Sequence, residues 1–152
     1  MKKGLIILMC LMMVGCAPRI AVRTDYNLSK IKRVAVLPFE PRGSSLSVFY
    51  TDWFTTELVK IQKFEVVERA QLDKVLSEQA LGLSGVINRD VLLKIGQVLG
   101  VDAVFLGSAT KGQTGGGVCN IRLVDIENGI IVWTGTSSDV RHLTKDLAKR
   151  LP

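Results

Sequence analysis

Residues 99–135 read LGVDAVFLGSATKGQTGGGVCNIRLVDIENGIIVWTG. Residues 101–109 are apolar almost throughout, as a strand buried on both faces of a sheet must be. Residues 118–126 alternate instead, with Cys119, Ile121 and Leu123 on one face and Asn120 and Arg122 on the other. Asn128-Gly129 is then a two-residue hairpin signal before IIVWTGT, so an antiparallel meander is expected. Between the first two strands lies KGQTGGG, 111–117, the one dense glycine cluster. A phosphate-binding loop needs a glycine, four residues and then Gly-Lys-Ser/Thr opening a helix. Here the lysine comes first and a strand follows, so the cluster is a turn.

Working upstream, KRVAVLPF at 32–39 is a second continuously apolar strand, with Pro38 marking its end. Residues 46–62 read as a helix with Leu46, Phe49, Trp53, Phe54, Leu58 and Ile61 on its apolar stripe and Glu57 at the rim. Residues 64–67 form a short strand. A helix over 69–80 follows, carrying Leu72, Val75, Leu76 and Gln79, and then a loop, LGLSG. Asn88 caps a third helix bearing Val91, Leu92, Ile95, Val98 and Leu99, which Gly100 closes. Helical crossovers joining apolar strands imply a parallel core with right-handed connections. Downstream, from a cap at Ser138 or Asp139, Val140, Leu143, Leu147 and Leu151 line an amphipathic helix expected to pack on the sheet, with Arg141, Lys145 and Lys149 on another face. The fold class is therefore α/β, a single domain whose mixed sheet of about five strands, a parallel core plus an antiparallel C-terminal meander, is flanked by helices.

The N-terminus is a targeting segment. Lys2 and Lys3, an apolar run over 5–14 and Gly15 have the layout of a secretory signal, residues 1–15. The run is about half of the ~20 residues needed to cross a bilayer. Met13-Val14-Gly15-Cys16 resembles a bacterial lipobox, in which Cys16 is the lipid attachment residue; the alternative is ordinary cleavage with Cys16 unmodified. Two or more acyl chains hold a protein stably to a membrane. Ala17, where an aspartate would retain the protein at the inner membrane, implies the outer membrane. Residues 16–30, the lipidated cysteine and a mixed stretch without sustained period, read as a tether before a domain at 31–151.

A formal net charge of +6 is too mild to argue for nucleic acid. Cys10 leaves with the signal and Cys16 carries lipid, so Cys119 has no intramolecular partner and neither a disulfide nor a metal framework is expected. Cys119 reads as a buried small hydrophobe and His142, the only histidine, as a surface residue near a helix start. Glu65 and Glu68, three apart on a strand, point to opposite faces and suit solvent better than paired acid/base work. No catalytic residue, cofactor site or small-molecule substrate is evident.

Four stretches, IKRVAVLPFE, KFEVVERAQLDKVLSEQ, IGQVLGVDAVFLGS and IRLVDIENGIIVWTG, carry a resemblance over about residues 31–138. Together they resemble the CsgG family of bacterial lipoproteins. The resemblance implies an α/β periplasmic domain, a lipidated Cys16, envelope-protein partners, assembly with further copies of the chain, and assembly or secretion work at the outer membrane. Pore-forming relatives insert a membrane-spanning hairpin between the strands that here end near Ala109 and begin near Val118. Two spanning strands and a turn need about 20 to 25 residues, whereas 110–117 offers eight. After Ser138, where a second hairpin would extend the last strand, the chain passes straight into charged helix. A protein-binding adaptor is expected and a pore is not. The ending LVDIENGIIVWTG also resembles lipoproteins that activate penicillin-binding proteins, which makes regulation of peptidoglycan synthesis the alternative. Such activators work on long linkers; a 14-residue tether extends at most about 50 Å.

Overall fold

A computed structural model describes residues 18–78, 88–112 and 115–151. The strands are β1 (Arg19–Val22), β2 (Arg33–Val36), β3 (Glu65–Val66), β4 (Ala103–Lys111), β5 (Gly117–Asp125) and β6 (Ile131–Ser137). The helices are α1 (Ser45–Lys60), α2 (Arg69–Glu78), α3 (Arg89–Leu99) and α4 (Val140–Arg150). One sheet has the order β1-β6-β5-β4-β2-β3, with β2 parallel to both β3 and β4 and the remaining pairs antiparallel. The expected parallel core and antiparallel meander are both present.

The connectivity explains the layers. From β2 through α1 to β3 the chain steps outward; from β3 through α2 and α3 to β4 it steps back across β2. Two connections of one hand running in opposite directions must place their helices on opposite faces. Accordingly, α1 and α4 pack on one face, where Phe54, Leu58, Leu143 and Leu147 meet Phe105, Ile121 and Trp133. On the other, Leu72, Leu76, Leu92 and Ile95 of α2 and α3 meet Ala35, Leu37, Val104 and Val124. The α2 and α3 layer leaves Arg122 exposed and Asn120 half-buried, as the alternation in β5 requires.

Local signals hold where their chemistry is self-contained. The Asn88 side chain accepts the Val91 N–H at 3.0 Å, and Gly100 ends α3 at φ 63°, a conformation glycine adopts without a Cβ clash. Glu57 stands at the rim of α1, paired with Lys60 at 2.7 Å.

Four expectations are corrected. The stretch 16–30 is not a plain tether, because Arg19–Val22 pairs with β6 as a sixth strand and Leu28–Lys30 forms a 3-10 turn with Leu28 buried. An edge strand covering one face needs only Ile20 and Val22 pointing inward, too short a pattern to read. The α1 stripe also shifts. Ser47, Tyr50, Thr51, Phe54 and Leu58 are buried while Phe49 is 56% exposed, since small hydroxyl residues let the helix approach closely. Val98 of α3 is likewise exposed. Finally, the β5–β6 connection is longer than two residues. Asp125 N–H donates to the Ile130 carbonyl, and the Asp125 carboxylate accepts the Asn128 N–H at 2.8 Å, freeing Ile126 to pack over Gly96. The signal segment, Cys16, Gln79 and the loop LGLSG lie outside the described residues.

Candidate interaction site at the hairpin end of the sheet

The glycine cluster closes a tight hairpin. Lys111 pairs with Gly117, Gly112 N–H donates to the Gly116 carbonyl, and Gly115 takes φ 87°. Only residues 112–116 connect two strands that are themselves flanked by β2 and β6 within the sheet.

At this end α1 begins. Ser44 caps it by accepting the Ser47 N–H at 3.3 Å. Its first turns bring Phe49, Tyr50 and Trp53 into one ring cluster, with centroids 5.5 Å apart for Phe49–Tyr50 and Phe49–Trp53 and 5.9 Å for Tyr50–Trp53. The hairpin and the rings need each other. A Cβ at Gly117 would lie 2.7 Å from Tyr50 Cε2 and 2.9 Å from Leu46 Cδ1, inside any real contact. Tyr50 OH donates to the Ser138 carbonyl at 3.1 Å, joining α1 to the end of β6. Burial holds the Tyr50 phenol above its ordinary pKa, keeping it a donor.

The start of α4 supplies charge. Asp139 caps it, accepting the Arg141 N–H at 2.9 Å, and pairs with the Arg141 guanidinium. That guanidinium sits 5.9 Å over the Trp53 ring. Its hydrogen bonds hold the Asp139 carboxyl below the usual range. His142 is exposed one residue further on.

Cys119 is fully buried beneath this end; burial pushes its thiol up to about 12, and its S–H donates to the Ser137 carbonyl. Such a thiol is a small hydrophobe, not a nucleophile. Glu65 and Glu68 are exposed, and Glu65 pairs with Arg33. The opposite end of the sheet is polar but committed. Asp102 accepts the N–H groups of Lys32 and Arg33 at 2.8 and 2.9 Å, while Asp125 accepts the Tyr26 hydroxyl as well as Asn128. Among the described residues no group of three or more His, Cys, Asp or Glu could hold a metal ion. The arrangement suits binding through apolar and aromatic contacts flanked by cations. Sequence periodicity missed it by placing Phe49 in the core; the signal that could have found it is the pair Ser47 and Thr51, four apart on the buried side.

The CsgG family, described as the curli production assembly/transport component CsgG, matches residues 11–118. Comparison with curated proteins gave no significant match. Among solved structures, the fold is similar to the LpoB C-terminal domain from Escherichia coli, at 20% identity and TM-score 0.57 over 87% of this chain and 94% of that one. It is similar to the LpoB C-terminal domain from Salmonella enterica, at 24% identity and TM-score 0.54 over 70% and 80%. Lipoprotein GNA1162 from Neisseria meningitidis follows at 21% identity and TM-score 0.53 over 69% and 77%. These likenesses show a shared fold.

Proposed function

Because this chain belongs to the CsgG family, we propose that it is an outer-membrane lipoprotein whose periplasmic domain binds envelope proteins, and further copies of itself, as an adaptor or accessory component in assembly or secretion. Residues 1–15 are its signal, and Cys16 carries acyl chains. The protein acts by binding and not by catalysis, and it forms no pore of its own. The observation that carries this reading is the closed β4–β5 hairpin. Its five-residue connection has no room for a lipid-crossing ribbon, which supports attachment by acyl chains over insertion of a pore hairpin. Cross-linking in cells followed by mass spectrometry tests the adaptor role, with specific envelope proteins expected above background. An uncross-linked control that captures the same set would refute it.

A second reading rests on the resemblance of LVDIENGIIVWTG to activators of penicillin-binding proteins. The position of β1 weighs against it. Only Ala17 and Pro18 separate Cys16 from Arg19, so the domain has little reach across a peptidoglycan layer. Stimulation of glycan polymerisation by the purified protein would reverse the ranking.

A further inference from the structure

The topology says which end of the domain acyl chains on Cys16 would hold. Strand β1 runs antiparallel to β6, with Arg19 opposite Thr136 and Val22 opposite Trp133. Its N-terminus therefore lies where β6 finishes, where β4 turns into β5, and where α1 and α4 begin. Cys16 precedes Arg19 by three residues, and three Cα–Cα steps of 3.8 Å limit the separation to about 11 Å. Strand β1 is built into the sheet, so this limit applies to the domain as a body.

The same end carries the exposed apolar side chains of the α1 start. Val48 is 40% and Phe49 56% exposed, and Trp53 is half-buried against Phe49. Gly115, Gly116 and Gly117, on the described side of the hairpin turn beside them, add no side chain to this end. Arg19, Lys111 and Arg141 are exposed around the rim. The nearby carboxylates are paired, Asp139 with Arg141 and Glu40 with Arg42. Aromatic and aliphatic side chains bordered by basic ones are the composition that settles at a bilayer interface.

We propose that the hairpin end of the sheet is a second membrane contact, with Val48, Phe49 and Trp53 seated among lipid headgroups. The proposal rests on acylation of Cys16. The domain is then oriented, not merely tethered: the sheet stands end-on, and the end bearing Asp102, Asp125 and Glu127 points away from the lipid toward periplasmic partners. Acyl chains supply the attachment, and the side chains fix the angle.

Indole fluorescence tests this in the full acylated protein extracted from cells and reconstituted into phosphatidylethanolamine/phosphatidylglycerol vesicles with brominated acyl chains, which quench indoles that enter the bilayer. Two tryptophans are present, and Trp133 is 1% exposed, an internal reference. Trp53 emission should fall relative to plain vesicles, and the Trp53→Phe variant should lose that response. Replacing both exposed residues, Val48→Ser with Phe49→Ser, should lower the docked-to-undocked ratio by at least about tenfold, from the apolar area withdrawn. Both side chains are exposed, so the fold should be retained, with circular dichroism as the check. Equal Trp53 emission in brominated and plain vesicles, with the protein still floating with them, overturns the docking while leaving the anchor intact. That is the outcome if a protein partner or a second copy covers the patch instead. Failure to float, with no acyl mass on Cys16, overturns the anchor and the docking together.

Discussion

Replacing Thr51 by valine should loosen the junction that sets α1 on the sheet. The Thr51 hydroxyl accepts the Phe39 N–H at 3.0 Å and donates to the Ser47 carbonyl at 2.7 Å, and both Thr51 and Phe39 are buried. Valine keeps the shape but cannot accept, so a buried amide is left without a partner at a cost of about 1–3 kcal/mol. At about 2 kcal/mol, a chain of this size loses about 4–8 °C of melting temperature. Thr55 provides the control. Its hydroxyl donates to the Thr51 carbonyl at 2.8 Å and no amide depends on it, so Thr55→Val should stay within about 0.5 kcal/mol. Thermal unfolding by circular dichroism compares the two. Equal losses for Thr51→Val and Thr55→Val would refute the claim that one hydroxyl satisfies the chain as it leaves β2.

Other outcomes follow from the packing and the charges. A Cβ at Gly107 would fall 2.5 Å from the Phe39 ring, so Gly107→Ala should cost about 1–3 kcal/mol by urea unfolding, with Gly116→Ala near neutral because nothing lies within 4 Å. Burial pushes the Asp146 carboxyl up, but hydrogen bonds from Arg150 and the Trp133 indole outweigh it and leave the pKa lowered. A depressed folded pKa gives stability that is present above the unfolded value of about 4 and lost as pH falls through the folded one. Melting temperature should therefore decline on acidification below that point, and Asp146→Asn should flatten the decline. Cys119, buried with its thiol pushed up to about 12, should resist a thiol reagent at pH 8 until the protein is unfolded in denaturant, as followed by absorbance.

What was legible in the chain was what repeats or closes on itself. Continuous apolar runs gave β2 and β4, alternation gave β5, and Asn88 with Gly100 bounded α3, because each signal depends only on neighbours in sequence. The corrections share a cause in contacts made at long range. β1 exists because β6 offers it an edge, four residues too few to show a period. Phe49 is exposed because Ser47 and Thr51 take the inner side, a choice decided by the Phe39 amide and not by hydropathy. The interaction site was illegible for the same reason. It joins the starts of α1 and α4 to the β4–β5 turn through Gly117, and only topology brings those segments to one end. The glycine cluster is legible as a turn, since its order and length alone exclude the alternatives.

Alkaline carbonate extraction of envelopes from cells making the native chain or Cys16→Ser bears most directly on how the domain is held. The native protein should stay in the membrane pellet and the Cys16→Ser protein should move entirely to the supernatant, because side-chain contacts at an interface do not survive that treatment and acyl chains do. Retention in the pellet of Cys16→Ser from which residues 1–15 have been removed would mean that polypeptide crosses the lipid and would contradict the proposal that this chain is a lipid-anchored adaptor.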